Sequence, residues 1–215
     1  MSDYGIALII AFVIFVIAAI VFVAQAERNK KIATESMKIW DANFPQEISK
    51  LQISPTSTIV VESATVYSDP NKQEKRVPHF VFCLDTNAKK FAFVKFLDPL
   101  MKGKCRVESN GFEFESIASC SLLEGGRQID STTLGSGVGA YGGGLSTGAG
   151  VASTTSDTYL SSLQIVIQFK DVNAPIYTID MFKGKAKETS NIMKEWKKQA
   201  LQINTIINKI IEENQ

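Results

Sequence analysis

The sequence predicts a mainly β fold, a sandwich or open barrel, set between an N-terminal transmembrane helix and a long C-terminal amphipathic helix. Three observations lead there. Residues 4–24, YGIALIIAFVIFVIAAIVFVA, carry no charge. Separate runs within 58–182, such as 58–68, 105–116 and 160–171, follow a period of two and are rich in β-branched and aromatic side chains. From Lys185 to Glu213 there is neither glycine nor proline, and apolar residues recur at helical spacing.

The uncharged run is long enough to cross a hydrocarbon core of about 30 Å as a helix rising 1.5 Å per residue. Ala24-Gln25-Ala26 mimics a small-x-small signal-peptidase site. Against cleavage, a secretory apolar region is about 7–15 residues long and follows a positive segment. Here only Met1, Ser2 and Asp3 precede the run, so an uncleaved anchor over 4–26 is expected. Arg28, Lys30 and Lys31 follow the span and no Lys or Arg precedes it. Under the positive-inside rule this makes 1–3 a short extracytoplasmic N-terminus. It places the remainder in the cytoplasm, on the inner face of a plasma membrane. Three cysteines (Cys83, Cys105 and Cys120), odd in number and widely spaced, fit a reducing compartment better than a disulfide framework.

Residues 27–57 read as a juxtamembrane helix and linker, with a patchy apolar face at Ile32, Met37, Ile39, Trp40 and Phe44 and a break near Pro45. The β domain follows over 58–182. TIVVESATVYS (58–68) is a strand, and 79–96 is a hairpin around Asp85-Thr86-Asn87-Ala88. Asn110-Gly111, flanked by alternating runs in 105–116, predicts a second tight hairpin, because both turn positions favour φ > 0. Residues 117–123 form a strand that Glu124-Gly125-Gly126 turns into RQIDSTT. After a glycine-rich segment, 160–171 alternates with Leu163, Ile165, Ile167 and Phe169 on one face, and Asn173-Ala174-Pro175 turns it into 176–182. About seven strands result. Residues 183–215 are the C-terminal helix, whose apolar stripe includes Trp196, Ile203, Ile207 and Ile210, with Lys194, Lys197, Lys198 and Glu212 largely off it.

FCLDTNAKKFAFVKF, FEFESIASCSLLEGGRQI, the glycine-rich insertion, SLQIVIQFKDVNAPIYTIDMF and a terminal helix together resemble a family of small bacterial and prophage proteins. Members of that family carry a pleckstrin-homology-like (PH-like) domain, sometimes beside a short C-terminal oligomerisation motif. The similarity covers 79–213 and rests on pattern; the N-terminal anchor departs from it. It implies a PH-like β domain capped by the C-terminal helix.

The glycine-rich segment 134–157 holds eight of the chain's fourteen glycines. Gly137 to Gly142 spells G-x-G-x-x-G, but no βαβ alternation surrounds it and a poor helix former follows, so a dinucleotide site is not expected. A slack loop between strands fits the composition, with contact to lipid or a partner as the minority alternative. His79 is the single histidine, no nucleophile is paired with a base, and the cysteines lack metal-ligand spacing. No catalytic, cofactor-binding or metal residues are assigned, no cofactor is expected, and the chain is expected not to be an enzyme. With 23 basic against 22 acidic residues the net charge is +1, which gives no general affinity for nucleic acid. Lys89, Lys90, Lys95, Lys102, Lys104 and Arg106 are candidates for a basic rim touching lipid or a partner, and Trp196 is a candidate partner contact. Lysine guarding strand edges is the competing explanation of that rim. The expected function is a membrane-tethered, non-catalytic binding or scaffolding module. Its partners are the bilayer and a protein or a second copy. Phage-related defence or superinfection exclusion is the alternative that the prophage resemblance implies.

Overall fold

A computed structural model of the chain describes residues 3–125, 127–133, 159–171 and 173–214. The expectation for the glycine-rich segment 134–157 therefore lies outside the described residues. The elements are helix α1 (Asp3–Lys50), strands β1 (Ser57–Ser68), β2 (Glu74–Asp85), β3 (Lys90–Leu97), β4 (Arg106–Glu113), β5 (Ile117–Glu124), β6 (Arg127–Thr133), β7 (Tyr159–Phe169) and β8 (Tyr177–Lys187), and helix α2 (Asn191–Glu213). The strands form two four-stranded antiparallel sheets, ordered β1-β2-β3-β4 and β6-β5-β7-β8. The described residues thus hold eight strands where the sequence predicts about seven. The chain divides into two compact units, Met1–Asp85 with Ala92–Gly111, and Thr86–Phe91 with Phe112–Gln215.

In the first unit, α1 is one helix from the apolar run into the sheet core. It contains an 18-residue window of mean hydropathy 3.0 that none of the described residues covers, long and apolar enough to cross a membrane. Beyond Lys31 the same helix becomes one-sided. Ala33, Met37, Trp40 and Ile48 pack with Ile53 against Val77, Val81 and Cys83 of β2 and Ala92, Val94 and Phe96 of β3.

The expected break at Pro45 does not occur, because Pro45 lies inside α1. Pro45 and Asp41, whose carbonyl loses its usual donor, are both solvent-exposed, so the freed group is not buried without a partner. The helix ends instead on a left-handed Gln52 (φ 53°), with Ile53 N–H bonded to Ile48 O and Gln52 N–H to Ser49 O. That is a Schellman closure with glutamine where glycine is usual, which hides it from a sequence search.

β2 is longer than expected because it passes through Pro78. The proline pairs with Glu62 at a register shift in β1, where a missing N–H is tolerated. The Asn110-Gly111 hairpin is also corrected: β4 runs straight through both residues, and neither has positive φ. Gly111 is needed for closeness rather than for a turn. A Cβ placed there would lie 3.1 Å from Leu51 Cδ2, which α1 delivers to this edge of the sheet.

In the second unit a short 3₁₀ turn, Phe114–Ser116, leads into β5. β5 is paired on one side with β6 and on the other with β7. Leu163, Ile165 and Ile167 of β7 are fully buried, as the alternation predicts, together with Ile179 and Met181 of β8. β8 continues to Lys187, where it pairs with Tyr159, so the C-terminal helix starts later than 183. Ser190 caps it, its hydroxyl accepting from Met193 N–H. Met193, Ala200, Ile203, Ile207 and Ile211 form the buried face of α2, which packs mainly on β5. Asn204 and Asn208 are buried in the same face, and the Cys120 thiol donates to Asn204 Oδ1 at 3.2 Å.

Candidate membrane-proximal site

The end of the first unit nearest the apolar run is built from α1 and the β1–β2 turn. β1 starts after the far end of α1 and runs back along it. Ser68 N–H, at the end of β1, donates to Thr34 Oγ1 at 3.1 Å, and that hydroxyl donates to Lys30 O at 2.8 Å. Lys30 Nζ reaches Glu74 Oε1, the first residue of β2, at 2.6 Å. Two shallow clefts of about 390 and 300 Å³ flank this junction and share Thr34 and Ser68 in their walls.

The turn itself is organised by Asp69, whose side chain is 4% exposed. Its Oδ1 accepts from Gln73 N–H at 2.9 Å and its Oδ2 from Lys75 Nζ at 2.7 Å. Pro70 follows directly, and Lys72 takes the left-handed conformation at φ 60°. The hydrogen bond from Lys75, then that from Gln73 N–H, holds the Asp69 carboxyl below the usual carboxylate range. The Glu74 hydrogen bond holds Lys30 above the usual lysine value. Burial pushes the Tyr67 phenol up. The Lys30–Glu74 pair thus latches turn to helix, and hydrogen bonding favours the charged forms of Lys30 and Asp69.

The basic residues singled out from sequence fall into separate groups. Lys102, Lys104 and Arg106 are exposed, in or just after the β3–β4 connection 98–105. That connection is closed by Met101 N–H to Asp98 O at 2.9 Å and Lys104 N–H to Met101 O at 3.0 Å, with Gly103 at φ 73°. It presents Leu100 and Met101, 37% and 52% exposed, beside the two lysines. Arg106 Nε donates to Glu108 at 2.6 Å. Lys95 is half-buried within β3. Lys89 and Lys90 open β3 in the second unit; Lys89 is exposed in the turn at φ 53°, and Lys90 stands 4.0 Å from Glu113. Trp196 is half-buried on α2, its ring 5.7 Å from that of Phe182.

Sequence reasoning missed the β1–β2 turn as a site. Asp69-Pro70-Asn71 is its local signature, but the pairing of Glu74 with Lys30, 44 residues apart, has no sequence signal. Elsewhere, burial pushes the Cys83 thiol up to about 12, which keeps it protonated and inert at neutral pH. His79 is half-buried, 5.6 Å from the Phe80 ring. Among the described residues no cluster of three or more His, Cys, Asp or Glu could hold a metal ion. No known family model matches the chain, and no curated protein or solved structure does.

Proposed function

We propose that this protein is a membrane-tethered, non-catalytic binding or scaffolding module, anchored once by α1 with its sheets at the cytoplasmic face of a plasma membrane. One observation carries the reading: α1 passes without interruption from an exposed apolar run into the core of the first unit. A flexible linker would let a domain diffuse around its anchor, whereas a continuous helix fixes the height of the attached sheet above the bilayer. Arg28, Lys30 and Lys31 directly after the run support the inward orientation. Two sheets followed by a helix support a PH-like reading of the β part. The exposed Leu100–Met101 pair with Lys102 and Lys104 supports a partner contact on the β3–β4 connection.

Topology and attachment are tested together. The full chain should stay in the membrane pellet at alkaline carbonate pH, and a reporter active only outside the cytoplasm should be silent when fused after Gln215. Release into the supernatant, or an active reporter, overturns the reading. A photo-crosslinking residue at Met101 in intact cells should give one discrete adduct; none would remove the partner contact.

A further inference from the structure

We propose that the cleft between α1 and the end of β1 binds a small zwitterion, an α-amino acid with an apolar side chain. Of the two clefts at this end of the first unit, one is walled by charged and hydroxyl groups, Glu27, Lys30, Lys31 and Glu35 beside Thr34 and Ser68. The other, about 300 Å³, has an apolar wall made by Met37, Tyr67 and Pro70. That volume is at the small end of the range that ligand pockets occupy, and an apolar wall with a few polar groups beside it is their usual make-up. The walls are fixed before a ligand arrives. Met37 is 6% exposed, and the Ser68 N–H bond to Thr34 Oγ1 ties β1 to α1. The Asp69 carboxylate, through Gln73 N–H and Lys75, holds the turn that carries Pro70. A pre-formed site avoids the ordering cost of binding.

The charges that line this cleft balance, which favours a ligand of no net charge. Asp69 is answered by Lys75. Lys38 and Asp41 also line it; both are exposed, and neither is in an ion pair or side-chain hydrogen bond among the described residues. They stand one turn apart on α1, with Cβ atoms about 5–6 Å from each other. An amino acid carries its ammonium and its carboxylate on one carbon, so a single molecule can meet both. Its ammonium goes to Asp41, its carboxylate to Lys38, and its side chain to Met37, Tyr67 and Pro70. Asp41 is near enough to that wall to act on it. Burial is the main cause of the raised Tyr67 phenol, and the charges of Lys75, Asp41, Asp69 and Glu62 act on it as well. Glu62, the weakest of them, does not line the cleft.

The test uses the full chain in detergent micelles and saturation-transfer difference NMR, with protein-free micelles as the blank. L-leucine should bind in the millimolar range, with transfer strongest at its methyl groups. Glycine lacks the apolar side chain, N-acetyl-L-leucine the ammonium and L-leucinamide the carboxylate; each should bind several-fold more weakly. Asp41→Asn and Lys38→Met should each weaken leucine binding about tenfold, the loss of one charge-assisted hydrogen bond. Both positions are exposed, so circular dichroism should show the fold intact in each variant. No transfer to leucine overturns the proposal. Binding of N-acetyl-leucine or leucinamide as tight as that of leucine overturns the zwitterion assignment, and equal binding of glycine overturns the apolar one. Leucine binding unchanged in both variants puts its site elsewhere and overturns the cleft.

Discussion

The two helices bury apolar surface under different rules. From Ile9 to Arg28 α1 has side chains exposed all round, Phe15 at 70% and Phe22 at 76%, and it turns one-sided only where it meets the sheet. α2 is one-sided from Met193 to Ile211. A helix in one solvent needs a stripe, and a helix that leaves lipid for a protein core needs a full coat followed by a stripe. The difference teaches that α1 joins a bare apolar run to a packed stripe, while α2 is built around one buried face.

The two tryptophans give the sharpest contrast. Trp40 on α1 is 6% exposed and stacks on Phe44 at 5.0 Å as well as meeting Phe96. Trp40→Ala should cost about 3–5 kcal/mol, as other buried aromatic truncations do. Trp196 on α2 is half-buried against Phe182, so Trp196→Ala should cost roughly half as much. Urea denaturation of the full chain in micelles, followed by circular dichroism, measures both. Equal costs would break the comparison.

A smaller effect probes how α1 meets the sheet edge. Gly111→Ala should cost about 1 kcal/mol by crowding Leu51. In a Leu51→Ala background the same change should be nearly neutral, and the double-mutant cycle reads the coupling. Additive costs would show that Leu51 is not what makes the alanine costly.

Much of this was legible in the sequence, and the failures have common causes. β1, the β2–β3 hairpin, β5, β7 and the apolar run follow from period and composition, which are local. Pro45 and Asn110-Gly111 misled because tertiary surroundings overrode strong local signals: an exposed carbonyl in one case, the approach of Leu51 in the other. The start of α2 was displaced because Lys183–Lys187 pair with β7, a non-local event. Asn204 and Asn208 within the buried stripe were equally invisible, since polar residues at those positions read as a solvated face. At the end of the first unit nearest the apolar run, Arg28, Lys30 and Lys31 were evident as flanking charge, but the partner of Lys30 across space, Glu74, was not.

The smallest effects are those of pH, and they differ between the units. In the first, Lys75 and Gln73 N–H hold Asp69 low, and Lys50 and then Ser109 hold Glu47 low. A lowered carboxylate contributes stability that is present above its unfolded value, near 4, and lost as pH falls through its folded value. In the second unit, burial works against the charge on Lys197, yet Glu124 and Glu188 outweigh it and raise its pKa. That contribution is complete below the unfolded lysine value, about 10.4, and is lost as pH rises through the folded one. Asp69→Asn should therefore flatten the acid limb of the stability profile and Lys197→Met the alkaline limb. Each variant altering the opposite limb would contradict the assignment.

The central claim is that α1 is a single rigid helix from the bilayer into the sheet core. Spin labels at Gln25→Cys and Ser49→Cys, in the Cys105→Ser background and reconstituted in vesicles, test it by pulsed electron–electron distance measurement. Twenty-four residues of unbroken helix predict one narrow distribution near 36 Å (about 1.5 Å per residue). A broad distribution, or one centred well below that distance, would place a hinge between span and sheet and contradict the account.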